Sequence, residues 1–304
     1  MPSLKAIRTR IASVKNTQKI TKAMKLVSAA RLRRAQDAMT AARPYAKRLA
    51  EVIADISARS EGAGAEVTHP LLSARPIVRA RIVVVGSDRG LAGGYNSNLN
   101  RKVERYILEE KSRLPSVDLV VIGRKAREHF RRRNANIVAE HPAATGDTID
   151  TLSAKIAEEC TTAFLAENEA DRVDAVFIAF NEFGSAISQI PTVIQVLPVP
   201  AVVADGKTVG KQADNDNQLD FEYEPSKEDV LATALPLYLA VTIRRVFLEA
   251  VASEFGARMS AMDNATKNAK EMISSLTLQF NRARQASITK ELSEIVGGAE
   301  ALKG

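Results

Sequence analysis

Leu248, Ala252, Phe255, Met259, Met262, Thr266, Ala269, Ile273, Leu276, Phe280 and Ala283 recur at alternating steps of four and three. Extended towards the N-terminus, the same register meets Tyr238, Val241 and Arg245, then Leu231 and Ala234, and only Arg245 breaks the stripe badly. A 3.5-residue repeat held over about seven heptads keeps its apolar side chains on one stripe, which a partner helix must cover. Many of these residues are small, so the pairing should be close. Ser226, after Pro225, can cap the helix with Asp229 as its reciprocal partner. Gly297-Gly298 supplies a stop, and Pro236 predicts a local kink. A helix of about 70 residues is about 100 Å long at 1.5 Å per residue, more than a globular domain of this size needs.

The other chain end carries a matching pattern. Leu4, Ile7, Ile11 and Val14 share one seam, and Ala38, Ala42, Tyr45, Leu49, Val52 and Ile56 share another. Between them Ile20, Met24 and Val27 sit in a shifted phase amid polar residues. The helical character runs to about residue 58, with Pro44 a possible kink. Two long helices at opposite ends, each with an apolar stripe, point to an antiparallel coiled coil within the chain. The alternative is two independent coiled coils that pair with other chains.

Charge is concentrated in the first of these helices. Residues 1–36 hold ten Lys/Arg and no acid, and residues 1–60 carry a net +11 against +7 for the whole chain. That asymmetry points to an acidic partner. A removable transit peptide matches the composition of 1–36, but the helical pattern continues past it without a break. The single cysteine, Cys160, excludes an internal disulfide framework and zinc-type cysteine clusters. No run approaches the roughly 18 apolar residues that span a bilayer, and the N-terminus lacks the apolar stretch of a secretory signal; a reducing, cytoplasmic-type compartment is the simplest expectation.

Between the helices lies a different composition. Residues 59–76 read as a linker. Beyond them, apolar runs at 80–86, 117–122, 136–140, 173–180 and 190–197 alternate with helical patterns at 97–113, 124–133 and 149–168. This rhythm predicts a mostly parallel sheet with helices on its faces. The stretch GSDRGLAGGYN (86–96) stands between the first strand and the first helix, which is the setting of a phosphate cradle. It fits neither the dinucleotide spacing nor the P-loop, having no Lys-Ser/Thr to hold phosphate and magnesium. The expectation is a tight turn that uses Gly90, Gly93 and Gly94 for backbone angles other residues resist. His69, His129 and His141 are scattered without metal-ligand spacing, and no nucleophile-base pairing can be placed. No active site, metal or cofactor is expected.

Four stretches carry a family resemblance: NTQKITKAMKLVSAARLRRA (16–35), SDRGLAGGYN (87–96), RMSAMDNATKNAKEMI (258–273) and NRARQASITKELSEIVGGA (281–299). In this order, over the full length, they resemble the signatures of the gamma subunit of F-type ATP synthase. The wording of the C-terminal end is most similar to mitochondrial and alphaproteobacterial members; Ala92 stands where many members have cysteine. The resemblance implies an antiparallel coiled-coil shaft (1–58 with 219–304), a linker (59–75) and an inserted Rossmann-like α/β foot domain (76–218). It implies one rotor copy per complex, without an active site of its own, that couples transmembrane proton flow to ATP synthesis and reverse hydrolysis. Partners would be the alpha and beta subunits, the epsilon subunit and the membrane rotor ring. The place would be the cytoplasmic face of a bacterial inner membrane, or the matrix side if mitochondrial, with attachment through partners only. On the matching positions, the resemblance implies that Lys22, Met24, Lys25, Arg31, Arg33 and Arg34 face an acidic loop of the beta subunits. Arg284 and Gln285 would hold a beta-subunit loop, with Thr289 and Glu294 at neighbouring functional positions. Ile288, Leu292, Ile295 and Val296 would form an apolar tip. Phe221 and Tyr223, in LDFEYEPS (219–226), would touch the ring and the epsilon subunit.

Two other classes remain open from residues alone. A nucleic-acid-binding arm would explain the basic start, although residues 1–44 contain no aromatic for base stacking. An enzyme would have to use the α/β domain, where no catalytic constellation is evident.

Overall fold

A computed structural model of the chain describes residues 3–62, 69–200 and 226–301. Its elements are α1 (Leu4–Gly62), β1 (Arg79–Val85), α2 (Tyr95–Glu109), β2 (Ser116–Ile122), α3 (Arg124–Arg131), β3 (Ile137–His141), α4 (Ile149–Phe164), β4 (Ala175–Phe183), β5 (Gln189–Leu197) and α5 (Lys227–Ala301). They form two compact units, Met1–Ala29 with Arg258–Gly304, and Ala30–Ala257. α1 and α5 each contribute to both.

The first unit is a pair of antiparallel helices. The Thr266 hydroxyl donates to Thr21 Oγ1 at 2.8 Å, and Lys25 Nζ donates to Asp263 Oδ1 at 2.6 Å. Partner numbers fall as α1 advances, so the strands of the pair run in opposite directions. On α5 the shielded positions are Met262, Thr266, Ala269, Ile273, Leu276, Phe280 and Ala283, the seam read from the sequence. On α1 they include Leu4, Ile7, Ile11, Val14, Gln18, Thr21, Lys25 and Ser28, with Met24 half-buried beside Lys25. This differs from the expected break in phase. The heptad continues without a shift, and at two of its polar positions, Thr21 and Lys25, Thr266 and Asp263 across the pair supply partners. Ile20 and Val27 point outward, 60% and 54% exposed.

In the second unit the same α1 register continues through Leu32, Ala35, Met39, Ala42, Ala46, Leu49 and Ile53. Ala42 and Leu49 keep the expected places, but Tyr45 does not: it is 54% exposed and Ala46 takes the shielded position. The side chain of Ile56 lies outside the described residues.

The rest of this unit is a five-stranded sheet in the order β3-β2-β1-β4-β5. β1, β2, β3 and β4 are parallel, and β5 returns antiparallel to β4. Alternation splits the strands between two faces. Ala80, Ile82, Val84, Leu119, Val121, Ala175, Phe177 and Ala179 form one core with Leu99 and Val103 of α2 and Ala126 and Phe130 of α3. On α4, Ile156, Cys160 and Phe164 are buried. Burial pushes the Cys160 thiol up to about 12, consistent with a small core hydrophobe.

Below the sheet, Arg75 ties the incoming chain to the strands. Its guanidinium donates to Asp174 Oδ1 at 2.7 Å and to the carbonyls of Phe164 and Val173, and it stacks 4.3 Å from the Phe164 ring centroid. Asp174 Oδ2 accepts from the Val78 and Arg79 N–H groups. Burial opposes ionisation of Asp174, but these donors outweigh it and hold its carboxyl below the usual carboxylate range.

α5 starts as expected: the Asp229 N–H donates to Ser226 Oγ at 3.1 Å and the Ser226 hydroxyl donates to Asp229 Oδ2 at 2.6 Å. It does not stop at Gly297-Gly298 but runs on to Ala301; a Cβ at either glycine would meet nothing within 4 Å, so no close contact calls for a turn there. An 18-residue window of α5, with mean hydropathy 1.5, is long and apolar enough to cross a membrane by length and composition. This corrects the expectation of no such run. Leu231, Leu235, Leu239, Ile243, Val246 and Phe247 are all buried, so the apolarity of α5 serves the protein core.

Candidate functional site

The glycine-rich stretch sits where α/β folds bind ligands, at the C-terminal ends of parallel strands. A shallow recess of about 520 Å³ lies there, lined by Asp88, Arg89, Gly123, Arg124, Arg127, Glu140, His141 and Pro142. The position that an anion would take at the start of α3 is already filled. Asp88 Oδ1 accepts the Arg124 N–H at 2.8 Å, and Ser87 O accepts the Lys125 N–H. The chain thus supplies its own negative charge to the helix dipole. Glu140 in turn engages Arg127 and Arg131, and His141 pairs with Glu159 at 3.0 Å. Gly123, at φ +88°, permits the close approach of the β1 and β2 ends; a Cβ there would lie 2.8 Å from the Gly86 carbonyl.

The loop is held from within and then engages α5. The Asn96 amide donates to Ser87 Oγ at 2.8 Å, and the Ser87 N–H donates to Asn96 Oδ1 at 3.1 Å. Of the three glycines expected to need special backbone angles only Gly93 does, at φ +56°; Gly94 has φ −84°, Gly90 has no positive φ, and Leu91 takes the other left-handed position at φ +62°. Ala92, Tyr95 and Ala257 form a small buried cluster. The Tyr95 hydroxyl donates to Ala250 O at 3.1 Å, and Asn181 Nδ2 donates to Tyr95 O at 3.2 Å. Sequence reading missed Tyr95 as the pivotal residue; the only available signal was an aromatic at the end of a glycine run.

The expected partner-contact residues fall into separate groups. In the first unit Lys22 is exposed, whereas Met24 and Lys25 are half-buried. Lys25 and Lys267 both reach Asp263, at 2.6 and 2.9 Å. Their hydrogen bonds hold the Asp263 carboxyl below its usual range. In the same unit Arg284, Gln285, Thr289 and Glu294 are exposed. The 21–266 and 25–263 pairings put Leu4 opposite the region of Ala283, so α5 beyond that point has no α1 residue left to pair with. Ile288, Leu292, Ile295 and Val296 are 50–69% exposed on this stretch. Thr289 Oγ1 donates back to Gln285 O at 2.9 Å, and Lys290 lies 3.5 Å from Glu294.

In the second unit Arg33 and Arg34 are exposed, with no ion pair among the described residues. Arg31 stands over the Phe255 ring at 5.4 Å. Phe221 and Tyr223 lie outside the described residues.

The family model described as ATP synthase matches residues 3–302. The ATP synthase gamma chain of Anaeromyxobacter dehalogenans is 51% identical over 99% of this chain and 100% of its own length. The chain belongs to the ATP synthase gamma family. The gamma chain of Heliobacterium modesticaldum is also similar, at 47% identity over 99% of this chain and 100% of its own. Among solved structures, a chain of the Euglena gracilis mitochondrial ATP synthase matches with a TM-score of 0.64 at 18% identity, covering 98% of this chain and 94% of its own. A central-stalk chain of the Tetrahymena thermophila enzyme matches at 0.59 and 24%, covering 81% and 99%. Gamma chains are non-catalytic subunits of the complex.

Proposed function

We propose that this chain is the central-stalk rotor of an ATP synthase. It couples transmembrane proton flow to ATP synthesis, and ATP hydrolysis to proton pumping, by turning inside a ring of alpha and beta subunits. The observation that carries the reading is the bare C-terminal stretch of α5. An apolar helix end that the described residues leave uncovered needs a surrounding surface, and Ile288, Leu292, Ile295 and Val296, 50–69% exposed, suit a collar of other subunits. Chemistry then belongs to the neighbours. The chain biases their conformations through contacts that differ from one orientation to the next.

Lys22, Met24, Lys25, Arg31, Arg33 and Arg34 suit an acidic loop of the beta subunits. Screened, exposed charges such as those of Lys22, Arg33 and Arg34 give weak contacts that a turning part can exchange. Arg284 and Gln285 hold a beta-subunit loop, with Thr289 and Glu294 beside it. The foot of the rotor is the α/β region at 76–218, joined through 59–75 to a shaft of 1–58 and 219–304. Phe221 and Tyr223 meet the epsilon subunit and the membrane ring. One copy serves each complex, at the cytoplasmic face of the membrane and attached through partners, with no nucleic acid involved.

The test is ATP turnover and ATP-driven proton pumping by the assembled complex carrying Arg284→Ala with Gln285→Ala, or charge reversal at Arg33 and Arg34. The first pair should lower turnover and the second should weaken pumping per ATP. Unchanged values in a complex verified to contain the variant chain would remove these contact roles.

A further inference from the structure

The glycine-rich loop is left unexplained by the rotor reading, and its geometry gives it a task. Between residues 244 and 257, α5 is gripped within its own unit from two sides. On one side the Tyr95 hydroxyl, 3% exposed, donates to the carbonyl of Ala250, and Ala92 packs with Ala257. On the other, the β4–β5 turn comes so close to Gly256 that a Cβ there would lie 3.2 Å from Ala186 Cα and 3.5 Å from Phe183 Cε2. Asn181, 1% exposed on β4, donates to Tyr95 O and ties the two sides together.

We propose that the glycine-rich loop and the β4–β5 turn form a torque seat, in which Tyr95 and Gly256 are positioning residues that stop α5 from turning on the α/β body under load. This rests on the rotor reading above. A mid-helix carbonyl has a second lone pair beyond its helical bond, and a side-chain donor on it lies off the helix axis, where it resists rotation. Gly256 acts as a keyway. Turning α5 by one residue, about 100°, would bring Phe255 or Ala257 towards Ala186, whose Cα would already lie 3.2 Å from a Cβ at position 256. The third link, Arg244 to Asp150 of α4, joins side chains 36% and 74% exposed; such pairs hold little, and it serves as the control.

The experiment uses membrane vesicles carrying the assembled complex with Tyr95→Phe, Gly256→Val or Arg244→Ala, at equal content of the chain. ATP hydrolysis is measured with an uncoupler and against a full proton gradient; the ratio of the second to the first is the slip. Tyr95→Phe keeps the ring and removes only the hydroxyl. It should leave uncoupled hydrolysis at the parent rate and raise slip about fivefold, the factor that one net hydrogen bond supplies. Gly256→Val should raise it further and Arg244→Ala should not. Unchanged slip in Tyr95→Phe, or uncoupled and loaded hydrolysis falling together, overturns the seat; if Gly256→Val fails to assemble, Tyr95→Phe decides alone. Hydrolysis that still responds to the gradient in vesicles rebuilt without this chain sinks the rotor reading itself.

Discussion

The Lys25 ammonium lies 2.6 Å from the Asp263 carboxylate, joining residues 238 positions apart, and it does so from a seam position where a coiled coil ordinarily places an aliphatic residue. With the Thr21–Thr266 bond one turn away, it fixes which residues of the two helices stand opposite. A polar group at such a position specifies register at some cost in stability.

The pair therefore has a pH signature. Hydrogen bonds from Lys25 and Lys267 hold the Asp263 carboxyl below the usual aspartate range. A depressed carboxylate contributes stability that is present above the unfolded value and lost as pH falls through the folded one. Amide exchange around residues 21–28 and 262–267 should accelerate below about pH 3.8, and Asp263→Asn should abolish that dependence. Both side chains are partly exposed, so high salt should reduce the effect. Exchange in the variant that still tracks pH in this window would assign the dependence elsewhere.

This pair also marks where reading the sequence stopped. Apolar periodicity gave the α5 seam residue by residue, because Met262, Ala269 and Leu276 are both apolar and shielded. It misplaced the middle of α1, because Gln18, Thr21, Lys25 and Ser28 look like a solvated face until Thr266 and Asp263 are seen opposite Thr21 and Lys25. The strands were legible because Val and Ile cluster in short runs between turns. Asp88 as a helix cap was not, since its recipient Arg124 is supplied by another strand end. Gly297-Gly298 misled because a stop signal acts only where a packing demand accompanies it.

Glu249 makes the opposite prediction. It is 8% exposed on α5. Burial raises its pKa against the pull of Arg245, while Glu182 of β4 adds repulsion and Arg43 of α1 attraction. A carboxyl with a raised folded pKa costs stability once pH exceeds that value, and the cost vanishes as pH falls below the unfolded one. Glu249→Gln should therefore raise the melting temperature of the full chain at pH 8, with the gain shrinking towards pH 4. A gain that stays constant across this range would show that side-chain packing, not ionisation, sets the difference.

Arg75→Ala should be among the most damaging single changes in the α/β region. It strips the Asp174 carboxylate, 4% exposed, of the nearer of its two guanidinium groups, leaving Arg172 at 3.7 Å, takes the donor from the Phe164 and Val173 carbonyls and uncovers the Phe164 ring. Breaking a buried pair from one side costs about 3–5 kcal/mol, measurable as a lower urea midpoint for the full chain. Arg75→Lys should recover only a fraction, because an ammonium cannot reproduce the planar fork that serves Asp174, Phe164 and Val173 together. Full recovery by lysine would reduce the clamp to a simple charge.

The glycines at the strand ends separate conformational need from mere presence. At Gly123, φ is +88° and an added Cβ would lie 2.8 Å from the backbone of Gly86, so Gly123→Ala meets both a disfavoured backbone and a collision that only the β1 end could relieve by moving. Strain of this kind costs about 1–3 kcal/mol, and the displaced Gly86 would loosen the Ser87 and Asp88 bonds to the start of α3. At Gly90 an added Cβ would meet nothing within 4 Å, so Gly90→Ala should be near neutral, or slightly stabilising by restricting the unfolded chain. Urea unfolding of the two variants side by side is the measurement. Equal midpoints would mean that the approach of β1 and β2 does not depend on a glycine at 123.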